Sequence, residues 1–344
     1  MLAKLRAEGN GEDRARPRLG GVDSPLTLAA PGRRLRLVNE TAPLRAAFVG
    51  LGTMGAPMAR NLARKGFPLA VASRSFAKAE ALARELAGSP APVTAARTAA
   101  EAAALADVVV SCVPDAPEVE AVHLGPGGTI EAARPGTVVV DCSTIDAEAA
   151  RGVARKLTEK GILFLDAPVS GGQKGAVEGT LTFFVGGEAA ALERARPVLE
   201  AMGRRVTHLG PSGAGQLGKA TNQVIVAGTV MAVSEGIAFA QRAGLPLEAL
   251  HGALTAGAAS SWTLEVLGKK MLDRDFAPAF AVKHQQKDLA IVLATARRNG
   301  VPLPGAALAH QLLSALEALG QSEDGTQALL TLYERLSRGA ASGR

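Results

Sequence analysis

Three polar side chains share one face of a predicted helix in the stretch GAGQLGKATNQVIVAG, residues 213–228. Lys219, Asn222 and Gln223 stand at i, i+3 and i+4, positions that meet on a helix surface. Val, Ile and Ala fill much of the remainder. Two readings fit this spacing. One is a solvated surface lysine; the other is a pre-organised polar site on a buried helix, with one ammonium and two amides held together.

A second stretch with chemistry in it is RAAFVGLGTMGAPMARNLARKG, residues 45–66. An apolar run, Ala46 to Val49, leads into Gly50-Leu51-Gly52-Thr53-Met54-Gly55. A helical pattern through Met58, Leu62 and Ala63 follows and stops at Gly66. Strand, glycine turn and helix come in the order a dinucleotide site requires. Gly50 permits the tight turn, Gly52 lets the backbone approach a pyrophosphate, and Gly55 allows close helix–strand packing. The free N–H groups and dipole of the helix N-terminus favour the phosphates. The next segment, PLAVASRS, reads as a second strand. An NAD site usually offers an acid about 20 residues beyond the glycines. Here Ser73, Arg74 and Ser75 occupy that place, and no acid follows before Glu80. Arginine pairs with a 2′-phosphate and the hydroxyls donate to it, which predicts NADP(H) as the preferred cofactor, with NAD(H) as the alternative.

The elements that position these residues are visible as apolar runs. ADVVVSCVP (106–114), TVVVDCSTI (137–145) and ILFLDAPVS (162–170) read as buried strands, and LTFFVGG (181–187) and RVTHLG (205–210) add two more. Ala-rich helical patterns lie at 76–87 and 96–105. The alternation predicts an α/β fold, a Rossmann-type doubly wound sheet. Ligands in such folds bind beyond the carboxyl ends of the strands, where Val113-Pro114, Ser143-Thr144 and Ser170-Gly171-Gly172 stand. After Gly215 the chain reads as helices at 214–242, 247–256, 261–271, 283–299, 304–319 and 324–337. The expected organisation is a disordered tail over 1–45, an NADP-binding Rossmann-like domain over 46–212, and an all-helical substrate and oligomerisation domain over 213–337. A long interdomain helix apolar nearly all round joins the two domains and puts Lys219 in the cleft.

The bulk properties narrow the function. At 344 residues, 47% hydrophobic and 20% charged, the chain has an ordinary globular composition. Its two cysteines, Cys112 and Cys142, and five scattered histidines show no metal-ligand spacing, so no metal is expected. The net charge of +6 is concentrated in residues 1–45, where nine Lys and Arg face five Asp and Glu. The near balance of the remainder argues against a nucleic-acid partner. The tail has neither an apolar signal core nor the composition to build a hydrophobic core. The most apolar stretch, Val224 to Val233, stops at Ser234-Glu235, so no membrane helix is expected. A cytoplasmic protein is the expectation.

Four blocks, FVGLGTMGAPMARNL, DAPVSGGQKGAVEGTLTFFVGG, GKATNQVIVA and KHQQKDL, together resemble the β-hydroxyacid dehydrogenase family, from about Arg45 to Leu336. The resemblance implies that Ser170, Gly171 and Gly172 bind a substrate carboxylate and that Lys219 is catalytic, with Asn222 and Gln223 as amide partners. It implies that Thr144 and Lys287 touch the cofactor, and that Phe280 and Asp288 line the substrate site. The chemistry is then reduction of a short aldehyde acid, or the reverse oxidation of a hydroxyacid. Hydride transfer to an aldehyde leaves an alkoxide, which Lys219 as ammonium stabilises and protonates; an apolar cleft lowers its pKa toward working pH. A small-molecule substrate and a homo-oligomer built through the helical domain are the expected partners. Two alternatives stand beside this reading. One is a non-catalytic NADP-binding module with a basic, nucleic-acid-binding tail. The other is an imine reductase, a class that typically lacks the lysine.

Overall fold

The computed structural model describes residues 43–338. The stretch expected to be a disordered tail lies outside them as far as residue 42. Its last residue, Arg45, is nonetheless part of the fold. The backbone N–H and the guanidinium of Arg45 both bond the Asp107 carboxylate, at 2.8–3.1 Å, which fastens the entry to the first strand.

In chain order the first half comprises β1 (Ala46–Val49), α1 (Gly55–Arg64), β2 (Leu69–Ala72), α2 (Phe76–Glu85), β3 (Val93–Ala96), α3 (Ala99–Ala104), β4 (Val108–Ser111), α4 (Ala116–Leu124), α5 (Thr129–Ala132), β5 (Val138–Asp141), α6 (Ala147–Thr158) and β6 (Leu163–Asp166). Then follow β7 (Val169–Ser170), α7 (Gly172–Glu178), β8 (Leu181–Gly186), α8 (Ala189–Glu200) and β9 (Gly203–Gly210). The rest is helical: α9 (Ala214–Arg242), α10 (Leu247–Thr255), α11 (Lys269–Leu272), α12 (Val282–Arg298), α13 (Pro304–Ala318) and α14 (Leu329–Arg338). A π-helical turn, Thr263–Gly268, leads into α11, and a 3-10 turn, Thr326–Ala328, leads into α14.

The strands form one sheet in the order β3-β2-β1-β4-β5-β6-β8-β7, with β9 on β8. The pairs from β3 through β6 are parallel, whereas β8 runs antiparallel to β6. This is the doubly wound Rossmann-like arrangement that the apolar runs predict. Alternate residues feed opposite faces. Phe48, Val108, Val110, Val138 and Val140 join the core beneath α1 and α8, and Val49, Val109 and Val139 join the one beneath α3 and α6.

Two local readings need correction. Residues 96–105 do not form one helix: β3 ends at Ala96 and α3 begins at Ala99. The run 162–170 is not one strand. Pro168 has no N–H to donate to a ladder and interrupts it between β6 and β7. These two lie along the same edge of β8 in one antiparallel register, Asp166 opposite Gly186, Val169 opposite Phe183 and Ser170 opposite Thr182, while β9 takes the other edge.

The helix α9 is held at its start by a strand end. Its N-cap, Gly213, has φ +89 and offers no side chain. Buried Asp166 at the end of β6 takes over as cap, accepting from Gly213 N–H at 2.7 Å and Gln216 N–H at 3.0 Å. A Cβ at Gly215 would sit 2.3 Å from the Asp166 carbonyl oxygen and 2.4 Å from that of Phe184. Only glycine lets the helix begin so close to the sheet.

With 29 residues and a mean hydropathy of 1.6 over its most apolar 18, α9 is long and apolar enough, by length and composition, to cross a membrane. The apolar character does not stop at Ser234-Glu235, because Ile237, Ala238, Phe239 and Ala240 extend it. In this fold α9 packs against β8, α12, α13, α14 and the π-helical turn, around Ala227, Val230, Leu267, Val282, Leu289 and Leu313.

Candidate active site

Lys219 lies one helical turn beyond the Asp166 cap and is 7% exposed. Its Nζ donates to Gln223 Oε1 at 3.2 Å, and Asn222 Nδ2 donates to the same oxygen at 2.8 Å. Gln223 Nε2 donates onward to Asp288 Oδ2 on α12 at 2.6 Å. Ser170 Oγ reaches Asn222 Oδ1 at 3.4 Å. Burial lowers the Lys219 pKa to about 8; Asp288 works against that shift, and Lys287 works with it. An ammonium that releases its proton near neutral pH, hydrogen-bonded and shielded from water, is what a general acid requires.

Gly171 and Gly172, with φ of +125 and +60, carry the chain from Ser170 into α7. These are conformations open to glycine and strained for other residues. A Cβ on Gly172 would lie 3.7 Å from the Ala279 carbonyl oxygen, so the segment ending at Phe280 abuts this turn. The Phe280 ring faces His284 at 5.9 Å.

The glycine turn after β1 has three different environments. Gly50 has φ +98, and a Cβ there would meet the Cys112 carbonyl oxygen at 2.3 Å and Val113 Cγ1 at 2.9 Å. A Cβ at Gly55 would lie 1.8 Å from the Gly50 carbonyl oxygen. A Cβ at Gly52 would meet nothing within 4 Å. The middle glycine therefore faces open space at the head of α1, the place a pyrophosphate needs, and the chain fits a dinucleotide there. Leu51 is buried, Thr53 is exposed, and Met54 is the N-cap of α1. Ser73 and Arg74 follow β2 directly. Ser75 is the N-cap of α2, and its hydroxyl makes no capping bond.

Lys287 joins the two adjacent loops at this edge. Its Nζ donates to the carbonyl oxygens of Thr144 and, at 3.3 Å, Pro114, and pairs with Asp288 Oδ1 at 3.0 Å. The structure thus brings Lys219, Asn222, Gln223, Asp288 and Ser170 into one hydrogen-bonded set, and Lys287 links it to Pro114 and Thr144. Ser73, Arg74 and Ser75 stand apart, at the end of β2.

Behind these loops lies a buried polar chain that sequence reasoning passed over. Asp141 Oδ1 accepts from Ser111 Oγ and Ser143 Oγ, each at 2.7 Å, and Ser143 Oγ accepts from Val113 N–H at 2.9 Å. Ser111 Oγ also meets His123 Nε2 at 2.9 Å. Burial pushes Asp141 up to about 6, against the pull of its hydroxyl donors, and pushes His123 down to about 4. The same burial raises Cys112 to about 12 and Cys142 well above its ordinary value, which leaves both thiols without useful thiolate at neutral pH.

Gln216 was also missed. It is 3% exposed, and its side chain closes on the β5–α6 loop: Nε2 donates to the Ser143 carbonyl oxygen at 2.8 Å, and Oε1 accepts from Ile145 N–H at 3.1 Å. A signal was present, since Gln216 precedes Lys219 by three residues and so shares its helix face.

The sheet, its glycine turn and the buried lysine define a nicotinamide-dependent oxidoreductase, and comparison with known proteins gives the family. Residues 45–210 match the NAD binding domain of 6-phosphogluconate dehydrogenase, and residues 213–333 match the NAD-binding domain of NADP-dependent 3-hydroxyisobutyrate dehydrogenase. The 2-hydroxy-3-oxopropionate reductase of Escherichia coli is 39% identical over 86% of this chain and 98% of its own. The NAD-dependent L-serine dehydrogenase of Pseudomonas aeruginosa is 37% identical over 84% and 97%. The structure of Mycobacterium tuberculosis 3-hydroxyisobutyrate dehydrogenase with L-serine superposes with a TM-score of 0.76 at 32% identity, over 84% of this chain and 99% of that one. The chain belongs to the β-hydroxyacid dehydrogenase family. It is an oxidoreductase that uses a nicotinamide cofactor.

Proposed function

We propose that the chain is an NADPH-preferring reductase of a short aldehyde acid, reversible as a hydroxyacid dehydrogenase, with Lys219 as the general acid. The observation that carries this is Lys219 itself, 7% exposed, bonded to Gln223 and brought to a pKa of about 8 by burial. The cofactor supplies or takes the hydride. Lys219 stabilises the oxygen left negative by that transfer and protonates it. Asn222, Gln223 and Asp288 keep the ammonium in place. Ser170, Gly171 and Gly172 take the substrate carboxylate, and Phe280 bounds the same space. The E. coli relative is named for an aldehyde acid of this kind.

Ser73-Arg74-Ser75 supports the phosphorylated cofactor, since an exposed guanidinium and an uncommitted hydroxyl stand where a carboxylate would repel the 2′-phosphate. The Pseudomonas relative is named as NAD-dependent, so cofactor choice is to be read from this chain's own residues. Self-association through the helical elements is supported by Ile225 and Phe239 on α9, 64% and 72% exposed.

The test is a panel of tartronate semialdehyde, methylmalonate semialdehyde, glyoxylate and succinic semialdehyde, followed by NADPH and NADH oxidation. With the best substrate, Lys219→Ala should lower kcat by about a hundredfold or more and leave cofactor binding intact. Full turnover in that variant refutes the assignment.

A further inference from the structure

We infer that Gln216 is a positioning residue for the reaction, holding the β5–α6 loop and the turn of α9 that carries Lys219 at a fixed spacing. The inference rests on the reading of Lys219 as proton donor. Both functional atoms of the Gln216 amide are committed to backbone on either side of Thr144, the donor to Ser143 and the acceptor to Ile145. The backbone N–H of Gln216 is committed as well, to Asp166 at the end of β6. One residue therefore ties α9 to the carboxyl ends of two neighbouring strands.

The arrangement is stiff. Gln216 is 3% exposed, and Ser143 and Ile145 are 2% and 1% exposed, so water does not compete for these bonds. Thr144, the residue clasped between them, gives its carbonyl oxygen to Lys287, which also holds Pro114. A shift of the Thr144 loop would thus move the cofactor side of the cleft relative to Lys219. Gln216 and Lys219 are one turn apart on the same helix, with no intervening joint to absorb the change. Hydride and proton transfer depend on such spacing, and a displacement of about 1 Å costs on the order of a hundredfold in rate.

Gln216→Met keeps the length and volume of the side chain and removes both bonds. Gln216→Glu keeps the acceptor for Ile145 and sets a carboxylate against the Ser143 carbonyl oxygen. Each folded variant is assayed with NADPH and the preferred aldehyde for kcat, cofactor KM and the kinetic isotope effect of deuterium at nicotinamide C4, alongside its melting temperature. The expected result is a fall in kcat on the order of 10- to 100-fold, with cofactor KM within about threefold of the parent. The isotope effect should rise as hydride transfer becomes slower than the other steps. A merely structural Gln216 predicts a lower melting temperature with kcat and isotope effect unchanged in the folded fraction, and that result overturns the inference. Failure of both variants to fold would assign Gln216 to stability alone and overturn it too. The two readings fail separately. Full turnover in Lys219→Ala removes the proton donor, whereas an inactive Lys219→Ala beside a fully active Gln216→Met removes only the positioning role.

Discussion

Replacing Lys219 with methionine should inactivate the protein and stabilise it. Folding takes the Lys219 ammonium out of water, and this burial lowers its pKa from 10.5 to about 8. At about 1.4 kcal/mol per tenfold change in proton affinity, this amounts to about 3 kcal/mol of stability withheld whenever the fold carries the proton. Methionine has a similar reach and no charge. It forfeits the bond from Nζ to Gln223 Oε1, worth about 1 kcal/mol, but that oxygen keeps its bond from Asn222. The net gain at pH 7 is about 2 kcal/mol, or a rise of roughly 3 °C in melting temperature for a chain of this size.

The pH dependence distinguishes this cause from a general packing gain. The unfolded lysine keeps its proton up to about pH 10.5, and the folded one releases it near pH 8. Between those values the unfolded state binds more protons, so parent stability rises with pH relative to the variant. The advantage of Lys219→Met should be constant below pH 8 and shrink between pH 8 and 10.5. Thermal melts of both proteins at pH 7, 8, 9 and 10 measure it. A variant less stable than its parent at pH 7, or an advantage that persists unchanged to pH 10, would show that Lys219 is not a buried charge held against its desolvation.

Other expectations concern the same site and its supports. In the reductive direction kcat should fall as pH rises through about 8, where Lys219 loses the proton it must donate, and a flat profile from pH 6.5 to 9.5 counts against it. Arg74→Asp should raise the KM for NADPH by tenfold or more, on the order of one lost charge-assisted contact, and spare NADH; equal effects on both cofactors would refute the 2′-phosphate role. Gly52→Ala should leave the melting temperature alone and weaken cofactor binding in a calorimetric titration, because its Cβ meets only open space. Gly55→Ala, whose Cβ would lie 1.8 Å from a backbone oxygen, should destabilise the fold by about 1–3 kcal/mol. Burial holds His123 neutral to about pH 4, so its contribution is lost as pH falls from 6.5 toward 4; urea unfolding of His123→Gln at pH 7 and pH 4.5 should show a smaller acid loss than in the parent.

The elements that could be read from the sequence were those whose signal is local. The valine runs of β4 and β5 are buried on both faces and stand out as continuous apolar segments. The helices from α9 onward show the expected period and breaks. β3 was hidden because Val93-Thr94-Ala95-Ala96 lies at the edge of the sheet, with three of its four residues partly exposed, so no apolar run marks it. The lysine face was legible because residues 219, 222 and 223 are neighbours along one helix.

The supports of that face were not legible, because each joins residues far apart in the chain. Gln216 meets Ser143 and Ile145 across more than 70 positions, and Asp166 meets Gly213 across 47. The sequence shows one half of each pair, and a lone polar residue at the end of an apolar run looks like a strand leaving for solvent. VVVD and LFLD both have that form. Yet Asp141 and Asp166 are fully buried and lie side by side in the register of β5 and β6. Burial raises the pKa of both, and each is held by hydrogen-bond donors that belong to the site's own scaffold. Asp141 gathers Ser111 and Ser143 and, through Ser143, Val113 of the β4–α4 loop; Asp166 caps the helix of Lys219. A charge kept out of water needs such partners to remain in place. The carboxyl edge of the sheet is therefore set by two acids that need not touch a ligand. Substitution of either should disturb the loops and helix above it before it disturbs the strands below.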